Sequence, residues 1–198
     1  PMSKNLTIIL LLKDREQFNK RFINYFTENN LNFNLFISDG SKKKLGNKIL
    51  KKIKNERNIN YYYFGEDKSY KIYFKKVYKT LKKINSKYVL FASNDDFLNY
   101  KQIKVCLDYL ENKKDYIGAG GELIGFNLID KETNLKVSNL KRIYEYIKLD
   151  NEDSIKRFQT YIKKFSDMTF NCLINRKLLL NSYKLSSNLF ENNVELKD

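Results

Sequence analysis

The sequence predicts an α/β fold with a mostly parallel central sheet flanked by helices. Three observations predict it. Short apolar runs recur, each bounded by polar residues, as strands buried on both faces require. Between them lie segments whose apolar residues return every three or four positions, the mark of a helix with one buried stripe. Run and stripe alternate four times before Gly121, which implies right-handed strand–helix–strand crossovers and parallel neighbours.

The first strand is the continuous run Leu6 to Leu12, bounded by Asn5 and Lys13. Asp14 is placed to N-cap the next helix, with Gln17 three residues on, and Phe18, Phe22 and Phe26 form that helix's buried stripe. Phe33 to Ser38 is β-rich and ends in the turn signal Asp39-Gly40-Ser41. Leu45, Ile49 and Ile53 commit one side of a basic helix, around Lys44 to Lys54, to the core. Its lysines should therefore face solvent, where an anionic membrane surface would attract them. Tyr61 to Phe64 reads as a third strand, and Tyr70, Phe74, Val77, Leu81 and Ile84 as a strong helical stripe. Tyr88 to Ala92, a fourth strand, runs straight into Ser93-Asn94-Asp95-Asp96; a helix over Ile103 to Leu110 and a strand over Tyr116 to Ala119 follow.

Beyond Gly121 the rhythm changes. Leu123 to Ile129, a turn over Asp130 to Asn134, and Leu135 to Val137 suit a hairpin. Ile155, Phe158, Ile162 and Phe165 mark a helix, Thr169 to Ile174 a strand, and Lys177 to Tyr183 a last helix. With no repeat or Pro-rich linker, residues 1–198 read as one domain in two halves, 1–121 and 122–198.

Composition excludes several chemistries. There is no histidine among the 198 residues, so Ser-His-Asp and Cys-His catalysis are out. A structural zinc site lacks ligands for the same reason. Cys106 and Cys172, in apolar surroundings, read as reduced core thiols. Chemistry must come from carboxylates, Lys, Tyr, Ser or a hard metal ion. The longest apolar run, Thr7 to Leu12, is far below the ~20 residues that span a bilayer, and Lys13, Asp14 and Arg15 follow it at once. A cytoplasmic location is expected, with a peripheral place at the inner face of a membrane. The net charge of +15 favours anionic partners: nucleotides, acidic glycans, lipid headgroups or nucleic acid. A Lys-, Asn-, Ile- and Tyr-rich bias of this kind is also what an AT-rich genome would produce without functional selection.

In open α/β sheets, ligands bind outside the carboxyl ends of the strands. Three polar clusters fall there: Lys13-Asp14-Arg15, Asp39-Gly40-Ser41 and Ser93-Asn94-Asp95-Asp96. Adjacent acids at a strand end suit Mg²⁺ or Mn²⁺, which prefer oxygen ligands. The plainer readings are an acidic turn capping the next helix for Asp95-Asp96, a turn residue for Asp39, and a solvated helix start for Lys13, Asp14 and Arg15.

The stretches LTIILLLKDR (6–15), LFISDGS (35–41), YFKKVYKTLKKINSKYVLFASNDDFL (73–98) and, more loosely, TFNCLINRKLLLNSY (169–183) together resemble the GT-A glycosyltransferases of family 2, and more closely a bacterial branch of small glycosyltransferase-domain proteins. The resemblance implies a GT-A (nucleotide-diphospho-sugar transferase) fold whose 1–121 half binds a nucleotide-sugar, a UDP-sugar being favoured. It implies that Lys13, Asp14, Arg15, Asp39 and Ser41 contact the nucleotide, with Asp39 near the base. Lys76 matches a basic position facing the diphosphate; as one lysine among many it also reads as part of a solvated face. Asp95 and Asp96 match the acidic signature for ribose and metal, with metal on Asp96 first. The function so implied is metal-dependent, inverting sugar transfer to a bacterial surface polysaccharide or a lipid-linked glycan.

Two departures stand out. Ser93 occupies the place of the family's first acid, two residues before the pair. The chain ends at Asp198, about where the acceptor-side acidic segment should begin, so the 122–198 half is expected to be cut short. Glu122, Glu191, Glu195 and Asp198 are the candidate bases, unless the base lies beyond Asp198. A nucleotidyltransferase would share the acidic metal site, but no Gly-rich phosphate loop supports it; two other functions compete. A non-catalytic glycosyltransferase-like module is favoured by both departures. A nucleic-acid-binding domain would use Lys42-Lys43-Lys44, Lys51-Lys52 and Lys82-Lys83 with nearby tyrosines, but these runs are spread over several predicted helices and no recognition motif accompanies them.

Overall fold

The computed structural model describes residues 3–29, 32–129, 136–144, 147–164 and 170–192. Four strands and three helices alternate first: β1 (Ser3–Leu12), α1 (Glu16–Glu28), β2 (Phe33–Asp39), α2 (Asn47–Lys54), β3 (Ile59–Tyr63), α3 (Tyr70–Lys83) and β4 (Tyr88–Ala92). Then come α4 (Tyr100–Asn112), β5 (Gly118–Gly120), β6 (Leu123–Ile129), β7 (Lys136–Tyr144), α5 (Ser154–Lys163), β8 (Cys172–Asn175) and α6 (Arg176–Asn192). Among the described residues the main sheet has the order β3-β2-β1-β4-β8-β5, and β6 and β7 form a separate ribbon.

β1 pairs in parallel with both β2 and β4, and β2 with β3. The sheet is thus α/β and mostly parallel, as expected. One strand breaks the rule: β8 inserts antiparallel between β4 and β5. The hairpin after Gly121 is present, but β7 runs over Lys136–Tyr144, well past the expected end at Val137. Its turn, and Phe165 and Thr169 of the later elements, lie outside the described residues.

The strands alternate faces with period two. Leu6, Ile8, Leu10 and Leu12 join Phe22, Ile23 and Phe26 of α1, Ile49 and Ile53 of α2, and Ile103, Leu107 and Leu110 of α4 in one core. Ile9, Phe36, Val89 and Phe91 join Val77 and Leu81 of α3 in the other, against which Leu179, Leu180 and Tyr183 of α6 also pack. Each large side chain so buried contributes about 1.5–3 kcal/mol. Helices α1, α2 and α4 therefore cover one face, and α3 and α6 the other. Arg176 ties the second half to this frame by donating to the carbonyls of Leu81, at the end of α3, and Ser86. Cys172 is buried and Cys106 half-buried, as core thiols. The stripe Ile155, Phe158 and Ile162 does form a helix, but all three residues stay exposed.

Candidate functional site

Because β1, β2 and β4 are parallel neighbours, the segments after them emerge along one edge of the sheet. The strand order reverses between β1 and β4: β2 and β3 lie to one side of β1, and β4 to the other. That reversal is where open α/β sheets place ligands. Lys13, Asp14 and Arg15 leave β1 there, and Ser93 to Asp96 leave β4 beside them.

Asp14 and Arg15 both have left-handed backbones, with φ of 56° and 58°. For non-glycine residues this costs of order 1–3 kcal/mol each, so the surroundings must hold them. The Asp14 amide donates to Ser41 Oγ at 2.7 Å, and Asp14 Oδ1 accepts from the Lys42 amide at 3.0 Å. Asp14 therefore stitches the β1 and β2 segments together instead of capping α1. Arg15 takes the N-cap position, and no side chain caps the helix there.

Asp39 closes β2 and is fully buried. Its Oδ1 accepts from the Ser41 amide at 2.9 Å and its Oδ2 from the Tyr61 hydroxyl at 2.7 Å. Burial first, then the Asp39 hydrogen bond, raises the Tyr61 phenol above its ordinary range.

Asp67, which nothing in the sequence singles out, lies beside this turn. Its amide donates to the Gly40 carbonyl at 2.8 Å, and its own carbonyl accepts from Lys13 Nζ at 2.8 Å. Its carboxylate lies where a Cβ on residue 40 would sit, so the turn requires glycine. Lys76 does not face outward from this edge, as a diphosphate contact requires. It is buried, its ammonium bound to Asp67 Oδ2 with side-chain exposures of 2% and 4%. Burial pushes the Lys76 ammonium down in pKa, and Asp67 opposes that shift. Asp67 Oδ1 is buried without a hydrogen-bond partner.

Asp95 and Asp96 reach the same edge and are tied to α1. Buried Asn94 donates to Asn19 at 2.6 Å. Arg15 Nη1 donates to Asp95 Oδ2 at 2.9 Å, and Arg21 Nη2 to the Asp95 carbonyl at 2.8 Å. Ser93 Oγ donates to Asp95 Oδ1. The Ser93 hydrogen bond foremost, then Arg15, holds the Asp95 carboxyl below its usual range. Asp96 moves the other way, raised by burial and by the charge of Asp95.

A magnesium or manganese ion needs several oxygen ligands in near-octahedral order. Here both Asp95 oxygens are engaged by protein donors, and Ser93 stands where the resembled pattern has an acid. No three Asp, Glu or Cys side chains converge among the described residues. Asp96 alone remains, facing the field of Arg21. At the expected metal pair, Asp95 is engaged in an arginine–aspartate pair and Asp96 stands half-buried beside it.

Of the candidate bases, Glu122 is paired with Arg142 at 2.8 Å. The side chain of Glu191, and Glu195 and Asp198 entirely, lie outside the described residues. The lysine runs do not form one surface: Lys51 and Lys52 are on α2, and Lys82 and Lys83 on α3 across the sheet. No helix among the described residues is long and apolar enough to cross a membrane.

The fold is a mostly parallel α/β sheet flanked by helices, consistent with a nucleotide-diphospho-sugar transferase-like fold. No family model matches the chain, and no curated protein matches it in sequence. Solved structures do match. The 1–349 portion of S. aureus TarS is similar with a TM-score of 0.53 and 15% identity, over 90% of this chain and 49% of that one. The same portion in complex with UDP gives 0.52 and 14%, over 90% and 48%. This chain spans about half the length of those structures, and at such identities the likeness is one of fold.

Proposed function

We propose that this chain is the donor-binding part of an inverting glycosyltransferase, moving a sugar from a nucleotide-sugar to a bacterial surface polysaccharide or glycolipid. One observation carries the reading: the β1 and β4 segments meet at the reversal of strand order through the Arg15–Asp95 pair. The likeness in fold to UDP-bound TarS and the sequence resemblance to GT-A family 2 support it, with a UDP-sugar as the favoured donor.

In this reading the nucleoside lies along the β1 and β2 segments, with Asp39 and Asp67 at the base end and Asp95 toward the ribose. Lys13 and Lys76 brace Asp67, and Asp14 and Ser41 hold the two segments in register. In the transfer step, a carboxylate takes the proton of the acceptor hydroxyl. The acceptor oxygen bonds to the anomeric carbon from the face opposite the diphosphate. The old carbon–oxygen bond breaks, its electron pair leaves with the nucleoside diphosphate, and the anomeric configuration inverts through an oxocarbenium-like state.

The test is a thermal-shift panel of UDP-, GDP-, CDP- and dTDP-sugars on wild type and Asp95→Ala. A ligand of the folded state raises the melting temperature by mass action. One nucleotide class should stabilise the wild type and stabilise Asp95→Ala less. No shift with any of the four refutes the reading.

A further inference from the structure

Two guanidinium groups stand beside the acids where a metal ion was expected, and each is held by a ring and a hydrogen bond. Arg15 lies with its guanidinium carbon 4.2 Å from the centre of the Phe18 ring. Arg21 lies between two rings, 4.9 Å from Phe18 and 4.9 Å from Phe97. Stacking of this kind leaves the edge of a guanidinium open for hydrogen bonds. Arg15 commits Nη1 to Asp95 and Arg21 commits Nη2 to the Asp95 carbonyl. A guanidinium has five N–H donors in a planar fork, so most remain for a ligand. Arg15 is also the uncapped N-cap of the thirteen-residue α1, so the first-turn amides and the positive end of the helix dipole lie beside it.

Resting on the nucleotide-donor reading, we propose that Arg15, assisted by Arg21, is the counter-charge for the donor's diphosphate, and that donor binding needs no divalent metal. A metal on Asp95 would have to displace Arg15 from Oδ2 and Ser93 from Oδ1, and would then sit against two fixed positive charges. A phosphate oxygen meets the opposite situation. It finds fork donors suited to bidentate contact, and Asp95 holds Arg15 in position without using up its hydrogen-bonding capacity. Asp95 thereby becomes a positioning residue for Arg15 rather than a metal ligand.

Calorimetric titration of UDP tests this, using wild type, Arg15→Ala, Arg21→Ala and Arg15→Lys, each in EDTA and in Mn²⁺. Wild type should bind equally well, within about threefold, in the two buffers. Arg15→Ala should lose at least about tenfold in both, Arg21→Ala less, and Arg15→Lys should recover part of the loss as a point charge without the fork. Circular dichroism confirms that each variant is folded, which the exposure of Arg15 makes the expected result. Wild-type binding that requires Mn²⁺ overturns the proposal. So does Arg15→Ala that binds UDP normally in EDTA, or that gains Mn²⁺-dependent affinity; in the second case Arg15 would be a plug over a metal site. If wild type binds none of UDP, GDP, CDP and dTDP in either buffer, the nucleotide-donor reading itself fails, a result distinct from a metal requirement.

Discussion

Replacing Gly40 with alanine probes the packing of the turn after β2 against Asp67. A Cβ at that position falls 2.6 Å from Asp67 Oδ1 and closer still to the rest of the carboxylate. The carboxylate cannot simply swing aside. Its Oδ2 is bound to the buried Lys76 ammonium, and the Asp67 backbone is held at both ends, by the Gly40 carbonyl and by Lys13 Nζ. Forcing a methyl group into a packed interior costs about 1–3 kcal/mol. Breaking a buried ion pair costs about 3–5 kcal/mol, and a partial retreat of Asp67 incurs part of that. The expected loss is about 2–4 kcal/mol in total. For a domain of this size each kcal/mol lowers the melting midpoint by about 2–4 °C, so thermal and urea unfolding should both register it. The specific check is a double-mutant cycle. With Asp67→Ala and Lys76→Met made together, both charges and the obstructing carboxylate are gone, and Gly40→Ala should then cost less than about 0.5 kcal/mol. An equal cost in both backgrounds, or a negligible cost in wild type, would refute the reasoning.

Three further outcomes follow from other contacts. Tyr61→Phe removes a hydrogen bond to a charged acceptor and should cost about 1.5–3 kcal/mol near neutral pH. Because burial and Asp39 raise the Tyr61 phenol above 10.0, the folded chain keeps a proton that the unfolded chain releases. Wild-type stability should therefore fall relative to Tyr61→Phe as pH rises past 10.0; urea curves whose separation stays constant across that range would remove this contribution. Arg176→Met uncaps the Leu81 and Ser86 carbonyls and should cost about 1.5–3 kcal/mol without changing nucleotide affinity, as unfolding and titration of the same variant would show. Finally, Lys48, Lys51 and Lys54 of α2 are exposed, whereas Lys52 is engaged by Asn24. If α2 docks on anionic lipid, each exposed lysine contributes about 1 kcal/mol. Reversing all three to glutamate should abolish co-sedimentation with phosphatidylserine vesicles, and unchanged binding would leave them a merely solvated face.

Much of this architecture was legible in the sequence because it is local. The runs Leu6 to Leu12 and Tyr88 to Ala92 are apolar on both faces, and the stripes of α1 and α3 have helical spacing, so strand, helix and parallel order followed. Periodicity names a face but not its partner. The stripe of α5 was visible, yet its exposure was not; nor could the pattern over Cys172–Asn175 say that this strand runs antiparallel between β4 and β5. At the edge, Asp39, Asp95 and Asp96 were found because strand ends are readable. Asp67 was missed because, between Glu66 and Lys68, it reads as a solvated loop acid; its burial is set by Gly40 and by a lysine on α3. The misplaced helix cap at Asp14 has a similar cause. An aspartate before a helix is ordinarily a cap, and only the contacts to Ser41 and Lys42 turn it elsewhere.

The antiparallel insertion of β8 has a consequence for vectorial synthesis. Strands β1 to β4 can associate once Ala92 has been made, but the outer edge of β4 stays unpaired until Cys172–Asn175 emerges. At about 5–20 residues per second, the nascent chain waits roughly 4–17 s in that state. During the wait it presents Tyr88–Ala92, a strand buried at every position in the finished fold, as an apolar edge with free backbone donors and acceptors. Such an edge is a template for pairing with another chain. Chains stalled or truncated between β4 and β8 should therefore aggregate more readily than either the full chain or a fragment ending before β4. Protection of the β4 edge is in this sense delayed until β8 has been made.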